Sequence, residues 1–208
     1  RYSSSAASDV YKRQVTDHLE MHLAAALNQH SFKPLGLATG RTMEPLYREL
    51  VHRLMRWPEQ RLAHLRRRWS SFNLDEYVGL PSSDPRSFAF YMQSQLGDPL
   101  QLPASHLRLP DGMAADPAIE ALRYRADLRQ AGGIGLQLLG LGGNGHVGFN
   151  EPPSAADAAC RVVTLQPATR LQNAGAFGGD PAAVPSQAIT LGLDLSLIHI
   201  SEPTRLSV

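Results

Sequence analysis

The sequence contains a single cysteine, Cys160, which excludes an intrachain disulfide and favours a reducing compartment such as the cytoplasm. No apolar run approaches the roughly 18 residues that a membrane-spanning helix requires, and the Ser- and Ala-rich beginning lacks the apolar segment of a signal peptide. Charges nearly balance, with 20 Lys and Arg against 19 Asp and Glu, so neither nucleic acid nor a membrane is an expected partner. With 43% hydrophobic residues, the chain is expected to be a cytoplasmic globular domain.

Both ends of the sequence carry segments that we expect to be non-native. Residues 4–14 resemble a translated transposase adaptor of DNA library preparation, and residues 195–205 resemble the partner adaptor. Two different matches at opposite ends favour this interpretation over ordinary disordered tails. We therefore exclude residues 1–14 and 195–208 from the expected fold.

Hydrophobic periodicity predicts strands that alternate with helices. Helices are predicted from Val15 to Leu27, after Thr42 as the N-cap, from Pro85 through Leu96, and over residues 117–130 with Ile119, Leu122 and Leu128 as apolar positions. Strands are predicted at residues 35–37, 70–74 and 134–140, the last as the clearest buried strand. This alternation favours an α/β fold with a parallel sheet covered on both faces, which binds ligands beyond the carboxyl ends of its strands.

The most informative segment at a predicted strand end is Gly-Leu-Gly-Gly-Asn-Gly-His-Val-Gly-Phe-Asn-Glu-Pro, residues 140–152. Its glycines allow main-chain N–H groups to approach a ligand. It also presents His146 and, five residues later, Glu151. A carboxylate beside an imidazole fixes its tautomer and raises its basicity, which suits a general acid/base. For the spacing alone, a histidine that only completes the loop is the alternative.

Two further segments follow predicted strands. Asp75 and Glu76 are adjacent acids that point in different directions, so one can face a pocket while the other faces solvent or a partner; a helix-capping aspartate is the alternative. Residues 36–42, Gly-Leu-Ala-Thr-Gly-Arg-Thr, combine a strand end, a glycine turn with hydroxyls and a helix start. That combination suits phosphate, although it lacks the Gly-Lys-Ser/Thr ending of a Walker loop and also fits a plain turn.

Together the three segments resemble the glucosamine-6-phosphate deaminase/isomerase family. That family shows a Gly-Leu-x-Thr-Gly-x-Thr turn, a Phe-Asn-x-Asp-Glu-Tyr strand end and an Asn/Asp-Gly-His-x-x-Phe-Asn-Glu-Pro loop, in the order found here. The resemblance covers about residues 20 to 194, and the neighbouring 6-phosphogluconolactonases lack the Phe-Asn-Glu-Pro continuation. It implies a Rossmann-like three-layer α/β sandwich with a mostly parallel sheet, forming a single, C-terminally truncated domain over residues 15–194.

The resemblance also implies the reaction and its residues. The family converts glucosamine 6-phosphate and water into fructose 6-phosphate and ammonia in amino-sugar catabolism, without a metal or an organic cofactor. By motif position, Asp75 moves a proton from C2 to C1, His146 opens the sugar ring, and Glu151 and Asn144 hold that histidine. The implied phosphate ligands are Thr39, Gly40, Arg41, Thr42 and Arg170. We class the expected enzyme as a hydrolase that acts on a small amino-sugar phosphate.

Some features depart from the family pattern. Some members carry aspartate where Asn144 stands, and many carry glycine where Arg41 stands. Members continue beyond this sequence with a further strand, a helix and a phosphate-binding lysine, so we expect the chain as given to be weakly stable and poorly active. Because members are often oligomeric, the resemblance also allows a homo-oligomer.

Several alternatives remain open at the level of sequence. A galactosamine-6-phosphate deaminase/isomerase shares the histidine loop and an Ile-Thr-Leu-Gly-Leu run like residues 189–193. A non-catalytic sugar-phosphate sensor would keep the phosphate turn but would not need Asp75, His146 and Glu151 together. His18 and His22 have a spacing compatible with zinc, but surface histidines are favoured. The arginine-rich stretch at residues 61–68 is interpreted as a solvated helix face and not as a nucleic-acid patch.

Overall fold

The computed structural model describes residues 4–29, 32–140, 146–155 and 157–193. The α-helices are α1 (Ser4–Ala26), α2 (Glu44–Leu54), α3 (Glu59–Arg68), α4 (Phe88–Met92), α5 (Asp98–Leu100), α6 (Pro117–Gln130) and α7 (Pro167–Asn173). The strands are β1 (Leu35–Leu37), β2 (Ser71–Asn73), β3 (Asp75–Tyr77), β4 (Leu107–Arg108), β5 (Leu136–Gln137), β6 (Arg161–Thr164) and β7 (Gln187–Thr190). A π-helical stretch, Gln93–Gly97, joins α4 to α5, so the chain is helical from Phe88 to Leu100.

A parallel sheet forms the centre of the described structure. Its strand order is β4-β2-β1-β5, and every neighbouring pair is parallel. Leu35 lies opposite both Ser71 and Leu136, which fixes the register of the three strands. Parallel strands need crossover connections, and the helices between these strands provide them. The predicted α/β fold with a mostly parallel sheet is therefore confirmed.

One face of this sheet is covered by the first two helices. Leu19 and Leu23 of α1 are buried at the spacing that the sequence predicts, together with Leu27 just beyond the helix. They share a core cluster with Leu46 and Leu50 of α2. Residues four apart lie on one side of a helix, so each helix contributes a continuous apolar face to this cluster.

The opposite face is covered by α6, but not by the side of the helix that we expected. Ile119 and Leu122 are 64% and 62% exposed, whereas Leu128 is buried as predicted. The buried side of the helix is defined by Glu120 and Tyr124. The Tyr124 hydroxyl donates to the main-chain oxygens of Asn73 and Arg108, and this polar anchor turns the aliphatic pair towards solvent. A pattern drawn from aliphatic residues alone is therefore wrong here.

A second, antiparallel sheet with the order β3-β7-β6 was not anticipated from the sequence. The strand predicted at residues 70–74 is confirmed as β2, but the chain bends at Leu74 and continues into the second sheet as β3. The main-chain N–H of Leu74 donates to Leu37 of β1, and its carbonyl accepts from Leu191 beyond β7. Leu74 therefore connects the two sheets through its own main chain.

Three other expected boundaries differ from the structure. Helix α2 has Met43 at its N-cap with no side-chain cap, so the predicted capping role of Thr42 is wrong. Helix α4 begins at Phe88, where the Ser87 side chain accepts from the Phe90 N–H, and not at Pro85. The strand expected over residues 134–140 pairs only at β5, whose residues are half-buried because β5 is the edge strand of the described sheet.

The sites set aside at the sequence level show ordinary structural roles. Within the described residues, no three His, Cys, Asp or Glu side chains are grouped as a metal site would need, so His18 and His22 have no third ligand there. Arg66 and Arg68 are half-buried and donate to main-chain oxygens of the fold, so this part of the helix is not the solvated face that we expected. None of the described helices combines the length and apolar character needed to cross a membrane. The segment at residues 195–208 lies outside the described part of the chain, and the native boundaries stay predictions.

Candidate active site at the junction of the two sheets

Asp75 is a buried carboxylate at the point where the chain passes from β2 into the second sheet. The residue is only 6% exposed. Burial, which penalises the charged form, and the neighbouring charge of Glu76 together raise the pKa of Asp75 to about 8. The main-chain N–H of Phe149 acts in the opposite direction. A carboxyl group with this pKa exchanges its proton near neutral pH, which is the property required of a general base.

Gly148 brings the histidine loop directly onto Asp75. A Cβ atom at this position would lie 3.0 Å from Oδ2 of Asp75 and 3.2 Å from Oγ1 of Thr190. Its φ of +56° also favours glycine over residues with a side chain. The structure therefore brings together the second and the most informative of the three predicted segments, and a glycine is what permits this close contact.

Asn150 fixes the end of this loop through three side-chain hydrogen bonds. It is 5% exposed, and its Nδ2 donates to the carbonyl oxygens of Val147 at 3.1 Å and Leu191 at 2.8 Å. Its Oδ1 accepts from Nη1 of Arg161 at 2.8 Å. Asn150 is part of the sequence motif, but the motif alone implied no role for it. Its burial and bonds show that it holds the loop against β7 and β6.

Glu151 and Arg170 are linked through α7. The Thr169 hydroxyl donates to the Glu151 carboxylate, and Arg170 is the next residue along the helix. Arg170 donates from Nε to the Val184 oxygen at 3.1 Å and from Nη2 to the Ala182 oxygen at 3.0 Å. These bonds hold the guanidinium in a defined orientation while its Nη1 has no acceptor among the described residues.

The predicted roles in holding the histidine are only partly represented in the structure. His146 is described and half-buried at the start of the loop. In the structure the Glu151 carboxylate accepts a hydrogen bond from the Thr169 hydroxyl. Its contact with His146 stays a prediction. Asn144 lies outside the described residues, and its role also stays a prediction.

The turn expected to hold phosphate lies at the end of β1 and the start of α2. Thr39 is half-buried, and Gly40, Arg41 and Thr42 are exposed. Gly40 has a φ of +124°, and its carbonyl accepts from the Met43 N–H at 2.9 Å. Among the described residues, the N–H groups of Gly40, Arg41 and Thr42 have no acceptor. Donors of this kind at a helix start are the arrangement that suits an anion.

Two contacts connect this phosphate turn to the rest of the site. The hydroxyl of Tyr91, on α4, donates to the Gly40 carbonyl at 2.9 Å. A Cβ atom on Gly140 would lie 3.2 Å from Cε of Met43, so the beginning of the glycine-rich loop lies beside the turn. The ends of β1, β2 and β5 thus meet at one edge of the sheet, as the parallel arrangement predicts. No signal in the sequence pointed to Tyr91.

Comparison with known proteins agrees with this geometry. The family model described as glucosamine-6-phosphate isomerases/6-phosphogluconolactonase matches residues 6–172. A glucosamine-6-phosphate deaminase of Oceanobacillus iheyensis is 41% identical over 172 residues, which cover 83% of this chain and 66% of that protein. A glucosamine-6-phosphate deaminase of Cellvibrio japonicus is 43% identical over 159 residues, covering 76% of this chain and 58% of that protein. The chain thus spans less than two thirds of the length of these relatives.

Solved structures show the same fold. A monomeric glucosamine-6-phosphate deaminase superposes with a TM-score of 0.71 at 34% identity, over 90% of this chain and 72% of that one. A 6-phosphogluconolactonase from Thermotoga maritima superposes with a TM-score of 0.61 at 19% identity, over 88% of this chain and 73% of that one. The second likeness concerns the fold alone. The family resemblance inferred from the three sequence segments is confirmed.

Proposed function

The chain belongs to the glucosamine-6-phosphate isomerase/6-phosphogluconolactonase family, and from this premise we propose that it is a glucosamine-6-phosphate deaminase. The observation that carries the proposal is the contact between Asp75 and the histidine loop at Gly148. It places a buried carboxyl whose pKa is raised to about 8 beside a segment that contains His146. The reaction would convert glucosamine 6-phosphate and water into fructose 6-phosphate and ammonia.

In this proposal the protein's residues divide the proton transfers among themselves. His146 moves a proton between O1 and O5 and so opens the pyranose ring, while Glu151 and Asn144 orient its imidazole. Asp75 then takes the proton from C2 and returns it at C1 through an enol-type intermediate. Protonation at C1 leaves an iminium at C2; water then adds to C2, and the C2 carbonyl forms as the C–N bond breaks and ammonia leaves. A base for a carbon acid must be shielded from water, and the burial of Asp75 supports this assignment.

The phosphate group is assigned to the other edge of the site. The main-chain N–H groups of Gly40, Arg41 and Thr42 lie in the turn before α2, and Thr39, with its hydroxyl, precedes them in the chain. Arg170, oriented by its two carbonyl acceptors, adds a guanidinium that suits a phosphate oxygen. Binding through the phosphate would hold C1 and C2 of the sugar in a fixed position relative to Asp75.

The deaminase reaction is favoured over lactone hydrolysis. The Phe-Asn-Glu-Pro continuation is present, and its Asn150 is buried in the hydrogen bonds that hold the loop. The relatives above 40% identity are named as deaminases. Their names and the family description indicate isomerase and deaminase chemistry and do not support the expected classification as a hydrolase. The galactosamine compound is retained as the alternative substrate.

The test is the release of fructose 6-phosphate and ammonia, with glucosamine 6-phosphate and galactosamine 6-phosphate in parallel. It is made with the 208-residue chain and with the protein that the source gene encodes. Turnover of the glucosamine compound by either protein supports the proposal. Turnover of the galactosamine compound alone transfers the protein to the alternative, and binding of both without turnover indicates a sensor. An excess of dimer in sedimentation would support a homo-oligomer, although the structural relative is monomeric.

A further inference from the structure

Glu76 is a second buried acid at the site, and the proposed reaction gives it no role. It is 2% exposed, and its carboxylate accepts three main-chain hydrogen bonds. Oε1 accepts from the N–H groups of Tyr77 at 2.8 Å and Phe88 at 3.0 Å, and Oε2 accepts from that of Ala89 at 2.7 Å. No Lys, Arg or His of the described residues forms an ion pair with it. Its charge is therefore held by N–H groups alone, most of them at the start of a helix.

The helix that Glu76 holds is connected to both halves of the site. Near its start, the ring of Phe88 packs against Tyr77 with ring centres 4.7 Å apart and stacks on Phe149 at 6.0 Å. One turn further, Tyr91 donates to the carbonyl of Gly40 in the phosphate turn. Phe149 follows Gly148 in the loop that touches Asp75. A displacement of this helix would therefore move the phosphate turn and the histidine loop together.

Glu76 also affects Asp75 electrostatically. Their side chains leave β3 on opposite faces, and the Glu76 charge is the second cause, after burial, that raises the pKa of Asp75. The other titratable groups coupled to Asp75 are the hydroxyls of Tyr77 and of Tyr124 on α6. Both hydroxyls are neutral near pH 7. Burial raises the pKa of Glu76 itself to about 7, below that of Asp75, so Glu76 is the acidic neighbour among the described residues that carries a charge when Asp75 titrates.

We propose that Glu76 is a positioning residue of the active site, which fixes the start of the Phe88–Leu100 helix against β3 and acts on the reaction through Asp75 without contact with substrate. The proposal rests on the proposed deaminase function for its kinetic part. Its electrostatic part concerns Asp75 in the free protein and does not require turnover.

The electrostatic part is tested by an infrared titration of the protonated carboxyl signal in the free protein. The signal that disappears in Asp75→Asn is assigned to Asp75, and its midpoint is then followed in Glu76→Gln. Because glutamine is neutral, we expect the midpoint to fall by about one pH unit. Glu120→Gln is the matched control, since Glu120 is also a buried acid that accepts a main-chain N–H, from Asp111, but is paired with Arg123. An unchanged midpoint in Glu76→Gln overturns the proposal.

The kinetic part uses the pH profile of kcat/KM. In Glu76→Gln the acid limb should move to lower pH together with the infrared midpoint, whereas a merely structural loss would lower the rate and leave the limb in place. Tyr91→Phe should raise KM about fivefold and leave the limb unchanged, because it removes the bond to Gly40 alone. Thermal unfolding of each variant confirms that it is folded. If the wild-type protein does not deaminate but the infrared midpoint moves, the proposed function fails and the role of Glu76 towards Asp75 stands.

Discussion

The two halves of the candidate site, the turn at residues 39–42 and the region around Asp75, differ in the groups that they offer to a ligand. The proposed phosphate turn is exposed at residues 40–42, and the donors that these residues offer before α2 are main-chain N–H groups and not particular side chains. The proposed base, Asp75, is buried, and its properties depend on the side chain of Glu76 and on the absence of a side chain at Gly148. The binding half should therefore tolerate substitutions that the chemical half does not.

The largest expected effect is the loss of the base. Asp75→Asn should lower kcat by at least about 10³-fold, because the amide cannot take up the C2 proton, while the affinity for substrate changes little. Turnover and calorimetric binding are measured on the same sample. Asp127→Asn, which removes an exposed carboxylate of α6, should leave both unchanged. Full turnover in Asp75→Asn would contradict the assignment of the base.

The contact at Gly148 should be the next most sensitive feature. Gly148→Ala forces a methyl group against Asp75 and Thr190, and we expect turnover to fall about 10- to 100-fold. Gly178→Ala is the matched control, because Gly178 has a φ of +68° and no atom within 4 Å of an added Cβ. Both variants should lose about 1 kcal/mol of unfolding free energy from the backbone conformation. Equal turnover in the two would show that contact with Asp75 is unimportant.

A smaller effect is expected in the binding half. Arg170→Lys keeps a positive charge but loses the planar group that is oriented by Val184 and Ala182. We expect KM to rise about tenfold with kcat within a factor of about two. Inorganic phosphate as a competitive inhibitor provides a second readout and should bind less tightly by a similar factor. A fall in kcat at unchanged KM would mean that Arg170 acts in the chemical step and not in binding of the phosphate.

The smallest effect concerns stability and pH. The pKa of Asp75 is raised from 3.8 to about 8 in the folded protein, so the folded state holds more protons than the unfolded state between these values. Stability should therefore fall as pH rises from about 5 to 8, with Asp75 contributing at most about 1.4 kcal/mol per pH unit. Glu76, whose pKa burial raises to about 7, adds to this fall in the lower part of the range. Urea unfolding at several pH values measures this slope. Asp75→Asn should make the slope shallower and leave the part that is due to Glu76, and an equal slope in the variant would mean that Asp75 does not contribute to it.

The sequence predicted the part of the fold that depends on local pattern. Strand and helix alternation identified β1 and β2, and residues 39–42 and Asp75 follow the carboxyl ends of these strands, as predicted. The antiparallel sheet could not be predicted in this way. It pairs Asp75 with Thr190, more than 100 residues away in the chain, through short strands whose sequence shows no clear alternation.

The motifs indicated which segments lie near one another, but residue type alone did not predict the surroundings of each side chain. Two adjacent acids indicated that one faces a pocket, but the second was expected to face solvent or a partner, and it is instead buried at the start of a helix. That helix starts 12 residues later in the chain, at the Phe88 N–H that donates to Glu76, and no local signal connects the two. Similarly, the role of Thr169 depends on the packing of α7 against Glu151, a long-range contact without a sequence signature.

The bend at Leu74 has a consequence for how the molecule unfolds. The N–H of Leu74 donates to β1, and its carbonyl accepts from Leu191 just after β7. One residue therefore makes a main-chain hydrogen bond to each sheet. Partial opening of either sheet would break bonds on both sides of Leu74. The amide hydrogens of the two sheets should therefore exchange as a single cooperative unit. The opening that exposes Asp75 should have the same free energy as the opening of the sheet that carries the proposed phosphate turn.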